Sequence, residues 1–75
     1  MGRLPSELVG IFARNLREAR HRARLSQEDL ALKAGLDRTY VSGCERGTRN
    51  PSLVSVEKLS NALEIEADLL LRRSE

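Results

Sequence analysis

Apolar residues along this chain recur every three or four positions and nowhere alternate with polar ones, the spacing of helices and not of strands. Leu8, Phe12, Leu16, Ala19 and Ala23 form one such series, with Arg14, Arg17, Glu18, Arg22 and Arg24 mostly off it, which predicts a first helix over about residues 6 to 23. Leu25-Ser26-Gln27-Glu28-Asp29-Leu30 then carries the chemistry of a helix start. Ser26 can accept from an exposed amide, Asp29 lies in the positive first turn, and Leu25 can pack on Leu30 as a hydrophobic staple. This second helix ends at Gly35, where a left-handed backbone is tolerated without strain. The device repeats at once: Asp37 is placed to cap a third helix, Leu36 and Val41 take the staple positions, and Gly47 stops it after Arg46. Thr48-Arg49-Asn50-Pro51 is a polar loop, Ser52 caps a fourth helix with Leu53, Val56, Leu59 and Leu63 on one side, and Ile65, the capping candidate Glu66 and Leu70 begin a short fifth. Glu64 breaks a local rule, since it falls where a left-handed Gly or Asn is favoured, at a cost of about 1 kcal/mol. The expectation is an all-α domain of five helices and short loops over residues 1–75, with an ordered core of about 6–71 and frayed ends.

Composition narrows the function classes. At 75 residues the chain is about half a typical domain, and it buries only about 60–65% of its unfolded surface. Such a chain needs close helix packing, disulfides, a metal or self-association. Its one cysteine, Cys44, cannot close an intrachain disulfide, and with one histidine, His21, there is no Cys/His set for zinc. Cys44 reads as a small inward-facing residue of the third helix and His21 as a surface residue of the first. Neither a metal nor another cofactor is expected, which leaves helix packing with oligomerisation. No His, Cys, Ser and carboxylate set assembles into a catalytic site, so an enzyme is not expected. No apolar run approaches the roughly 20 residues of a membrane span and the N-terminus lacks the apolar core of a secretion signal, so the expected location is the cytoplasm, with no membrane partner.

The net charge of +2 conceals an asymmetry. Residues 1–50 carry ten Arg/Lys against six Asp/Glu, a balance of +4, whereas residues 51–75 carry three against five, a balance of −2. Eleven of the thirteen cations are arginine, whose fork suits phosphate and guanine edges. The basic part faces a polyanion and the rest has another task. Within the basic part, Gln27 to Arg46 comprises a short helix, a turn containing Gly35 and a second helix, with Ala31 small where the two cross and Leu30, Leu36, Val41 and Cys44 filling the shared core. This is a helix-turn-helix, which places its second helix in the DNA major groove. The outward residues of that helix, Arg38, Thr39, Tyr40 and Ser42, can all contact bases or phosphates. Arg38 lies in the first turn, where its fork can donate twice to a guanine. Gln27, at a positive helix start, is suited to phosphate.

Leu25-Ser26-Gln27-Glu28-Asp29-Leu30-Ala31 through Gly35, with Val41 and Glu45-Arg46-Gly47, resembles the phage repressor and Cro type (Xre-like) helix-turn-helix family over about residues 8 to 71, which implies a lambda-repressor-like fold. Within it, Asp37-Arg38-Thr39-Tyr40-Val41-Ser42-Gly43, Glu45-Arg46-Gly47 and Arg49-Asn50-Pro51-Ser52 resemble the controller proteins of restriction-modification systems. The resemblance implies a homodimer on a pseudo-palindromic double-stranded operator, regulating its own promoter and delaying the neighbouring endonuclease. It also implies that Arg38 and Thr39 read bases with Tyr40 and Ser42 at the groove edge, that Gln27, Arg46, Arg49 and Asn50 hold phosphates, and that Arg20 and Glu45 form a partly buried salt bridge. Gly43 departs from members with a long polar side chain there, which implies one base contact fewer.

A single recognition helix covers four or five base pairs, too few to select one operator in a genome, so two copies are expected. Val54, Ile65, Leu69, Leu70 and Leu71, in the acidic third, are the candidate dimer surface, the alternative being that all are core. A tetramer on DNA is the larger assembly, and RNA polymerase is a further candidate partner through Glu28 and Asp29, which helix capping already explains. Other readings are a phage or plasmid repressor, the antitoxin of a toxin-antitoxin pair, or a helical interaction module without DNA binding.

Overall fold

The computed structural model describes residues 6–73. Four α-helices, α1 (Glu7–Arg22), α2 (Gln27–Ala34), α3 (Arg38–Arg46) and α4 (Leu53–Leu63), are followed by a 3-10 helix (Ala67–Leu71), and there is no strand among the described residues.

Each α-helix begins at an extended residue whose side chain accepts from an otherwise unpaired amide. Ser6 Oγ accepts from Val9 N–H at 3.3 Å, Asp37 Oδ2 from Thr39 N–H at 3.1 Å and Ser52 Oγ from Ser55 N–H at 3.1 Å. At α2 the box closes in both directions, with Ser26 Oγ accepting from Asp29 N–H at 2.9 Å and Asp29 Oδ2 from Ser26 N–H at 3.3 Å.

The four helices also end alike, with an amide reaching back five residues: Leu25 N–H to Arg20 O, Leu36 N–H to Ala31 O, Thr48 N–H to Gly43 O and Ile65 N–H to Ser60 O. The residue before each donor is left-handed. At Gly35 (φ 70°) and Gly47 (φ 76°) this is free of Cβ strain; at Arg24 (φ 61°) and Glu64 (φ 60°) it is not. Glu64 thus breaks the rule as expected, and Arg24 adds a second case that the sequence pattern concealed.

The fifth helix differs from expectation. Residues 67–71 form a 3-10 helix, and Glu66 caps it with no side-chain hydrogen bond. Five residues are too few to repay the nucleation of an α-helix. Asn15 Nδ2 on α1 also takes the Leu70 carbonyl at 3.0 Å and the Arg72 carbonyl at 2.7 Å, which straps the segment onto α1.

Phe12, Leu16, Leu30, Val41, Cys44, Leu59 and Leu70 are fully buried in one core fed by all five elements. α1 packs on α3 and on the 3-10 helix, and α2 on α3 and α4. Because α1 meets two neighbours, its buried face is Ile11, Phe12, Ala13, Leu16 and Arg20, broader than the expected stripe, while Leu8 and Ala23 lie exposed at its ends. Leu53 is a further correction: in the first turn of α4 it projects past the core and is 83% exposed. No helix among the described residues is long and apolar enough to cross a membrane.

Candidate nucleic-acid interface

α2 and α3 cross over the buried side chains of Leu30, Ala31, Val41 and Cys44, with Leu36 packed against them, and this crossing turns the other face of α3 to solvent. Arg38, Thr39, Ser42 and Arg46 line a shallow crease there. Arg38 and Thr39 are exposed, and among the described residues Arg38 forms no ion pair. The Thr39 hydroxyl and amide both donate to Asp37 Oδ2, and these two bonds hold the Asp37 carboxyl below its usual range. Ser42 Oγ accepts from Arg46 Nη1 one turn away, at 2.6 Å, which lays Arg46 along the helix.

Tyr40 is half-buried. Its hydroxyl donates to Ser55 Oγ at 3.0 Å, joining α3 to α4, and the Arg49 guanidinium lies 5.3 Å from its ring centroid. Gly43 is buried, and a Cβ added there would stand 2.6 Å from Arg49 Cγ and 3.4 Å from Thr48 Oγ1. The position that sequence reading took for a missing contact is therefore occupied by the stem of Arg49. Asn50 follows in the same exposed loop.

The far end of α3 is anchored by Glu45, 4% exposed as a residue. Arg20 Nε and Nη2 donate to its two carboxylate oxygens at 2.6 and 2.9 Å, the bidentate pair implied by the resemblance. The remaining partners were not foreseen. Gln27 Nε2 donates to Glu45 Oε1 at 3.0 Å, Arg17 Nη1 donates to the Glu45 carbonyl at 3.0 Å, and Arg20 Nη1 donates to the Leu25 carbonyl at 3.0 Å. One carboxylate thus ties α1, the start of α2 and the end of α3 together. Burial pushes the Glu45 carboxyl up, but hydrogen bonds from Arg20 and Gln27, with the charges of Arg20 and Arg17, outweigh it and hold it below its ordinary value. The bond to Glu45 likewise raises Arg20 against the opposing effect of burial. The Gln27 side chain, at the start of α2, is thus turned toward Glu45.

The candidate dimer residues separate. Val54 is 58% and Leu69 42% exposed, but Leu70 is completely buried and Ile65 and Leu71 pack against the core. Leu70 is removed from the candidate surface, because the strap from Asn15 turns it inward. Exposed Leu8 and Leu53 instead flank an apolar groove walled by Phe12, Pro51, Val56 and Leu71. Cys44 is a core residue whose thiol burial pushes up, and His21 is exposed. Glu28 is exposed and Asp29 closes the capping box.

A family model described as helix-turn-helix matches residues 16–70, from the middle of α1 into the 3-10 helix. The chain belongs to the helix-turn-helix family. Among this family's members, control protein C.BamHI of Bacillus amyloliquefaciens is 45% identical over 62 residues, covering 81% of this chain and 76% of that protein. Control protein C.SmaI of Serratia marcescens is 43% identical over 67 residues, covering 89% and 80%. The solved restriction-modification controller protein C.AhdI from Aeromonas hydrophila matches with a TM-score of 0.81 at 53% identity, over 83% of this chain and 94% of that one. The restriction-modification controller protein C.Esp1396I, solved as a tetramer in complex with its natural 35 base-pair operator, matches with a TM-score of 0.81 at 37% identity, over 87% and 86%. This helix-turn-helix chain therefore has relatives of the controller type in both sequence and fold.

Proposed function

We propose that the chain is a sequence-specific DNA-binding regulator, acting in the cytoplasm as a homodimer on a pseudo-palindromic operator and controlling a restriction-modification operon that includes its own promoter. The observation that carries this reading is the exposed face of α3, with Arg38, Thr39, Ser42 and Arg46 together, on a chain 37% identical to a controller protein solved on its operator. Arg38 at the leading end of α3 is the base reader, its fork matched to a guanine edge and worth about 1–3 kcal/mol of discrimination. Thr39, Tyr40 and Ser42 adjoin it, with Thr39 held by the capping carboxylate of Asp37 and Tyr40 fixing the helix to α4. Arg46, Arg49 and Asn50 hold phosphate, together with the N-terminal backbone of α2 at Gln27. The described residues act as one DNA-binding unit, and Leu53, Val54 and Leu69 are exposed apolar residues of its C-terminal third available to a second copy.

The test is a reporter driven by the DNA upstream of the chain's own gene. Supplied in trans, the wild-type protein changes its output, and Arg38→Ala loses that effect while retaining salt-sensitive binding to random duplex. An unchanged reporter overturns the regulator reading; equal losses by Arg38→Ala on cognate and random DNA remove Arg38 from base reading.

A further inference from the structure

Gly43 lies inside α3, where glycine is less favourable than alanine, and its φ is not positive, so the helix itself has no need of it. The obstacle to a larger residue is instead the loop after the helix: Arg49 Cγ stands 2.6 Å from where a Cβ would be. Arg49 is thereby held on two sides, its stem over Gly43 and its guanidinium over the Tyr40 ring, and Tyr40 is itself fixed by Ser55.

We propose that Gly43 is a positioning residue for DNA binding that acts through Arg49, its missing Cβ forming the seat that orders this loop cation on the α3 face before DNA arrives. The inference rests on the DNA-binding reading above. A flexible arginine loses rotamer freedom when it docks on a phosphate or base, and ordering it in the free protein removes part of that cost. Because Cγ lies at the near end of the side chain, an alanine at 43 cannot coexist with this arginine conformation, and Arg49 must leave its seat by rotation about the Cα–Cβ bond.

The experiment compares wild type, Gly43→Ala, Arg49→Ala and the double variant, first without DNA. By NMR, the Arg49 side-chain Nε–Hε signal is shifted by the Tyr40 ring current in the wild type and returns toward the position of a free arginine in Gly43→Ala; an unmoved signal overturns the proposal. If Gly43→Ala lowers Tm, adding Arg49→Ala restores it, since the obstructing atom is gone; a loss that persists in the double variant also overturns it. On own-promoter duplex, Arg49→Ala weakens binding about tenfold and reduces the salt slope by about one, Gly43→Ala weakens it by a smaller factor with the slope retained because the arginine still reaches phosphate at a greater ordering cost, and the double variant is no worse than Arg49→Ala. Additive losses, or wild-type affinity in Gly43→Ala, contradict the coupling. Should the wild type fail to prefer its own promoter, the regulator reading fails and the role in DNA binding with it, while the free-protein signal still decides whether Gly43 seats Arg49.

Discussion

At the scale of single residues the structure turns on Glu45. Its side chain is 3% exposed and that of Arg20 11%, so removing one partner strands a charge. Glu45→Ala is predicted to destabilise the fold by about 3–5 kcal/mol, against about 0–1 for an exposed pair, lowering Tm by at least about 10 °C. An unchanged Tm contradicts the buried pair. The same group sets part of the acid limb of stability. Its folded carboxyl lies below the ordinary 4.5, so its contribution is fully present above that value and is lost as pH falls through the folded one. Unfolding followed by circular dichroism from pH 6 to pH 2 is predicted to show a shallower acid loss for Glu45→Gln than for wild type; parallel curves exclude Glu45 as a source. The Arg20–Glu45 pair and the exposed position of Arg38 were legible in the sequence because family resemblance and position on a helix single them out. Gln27 and Arg17 were not, because their bonds to Glu45 join different helices and depend on the crossing geometry.

At the scale of elements, helix beginnings were the most legible feature, since Ser26, Asp37 and Ser52 cap through local bonds that need no tertiary contact. Ends were half legible. Gly35 and Gly47 announce a left-handed turn, whereas Arg24 adopts the same backbone without any residue-type signal. The short last segment read as an α-helix because its apolar spacing is helical, but the bonds that set its form come from Asn15, far away in sequence. Matching the residue to the backbone changes stability in a predictable direction. Glu64→Gly relieves a left-handed strain of about 1 kcal/mol and raises Tm by about 4–8 °C in thermal melts. Gly35→Ala does the reverse by a similar amount: nothing lies within 4 Å of the added Cβ, so backbone strain is the whole effect. A fall in Tm for Glu64→Gly contradicts this account of the α4 terminus.

At the scale of the molecule, the sequence exposed an excess of apolar residues in the C-terminal third but did not separate core from surface, because 3.6-residue periodicity is lost in a five-residue 3-10 segment. Leu70 went inside, while Val54 and Leu69 remained outside. The charge asymmetry maps onto the fold: the basic two thirds hold α2 and α3, and the acidic third holds exposed Leu53, Val54 and Leu69. If that surface joins two chains, sedimentation at tens of micromolar finds a dimer, and a monomer there contradicts the symmetric interface. The central claim is that two copies read one operator, and it is tested most directly by measuring binding to about 100 base pairs upstream of the chain's own gene against random duplex across a salt series. The account predicts a preference of about a thousandfold or more, with two copies per symmetric site. Weak binding, equal on both duplexes and equally sensitive to salt, contradicts it.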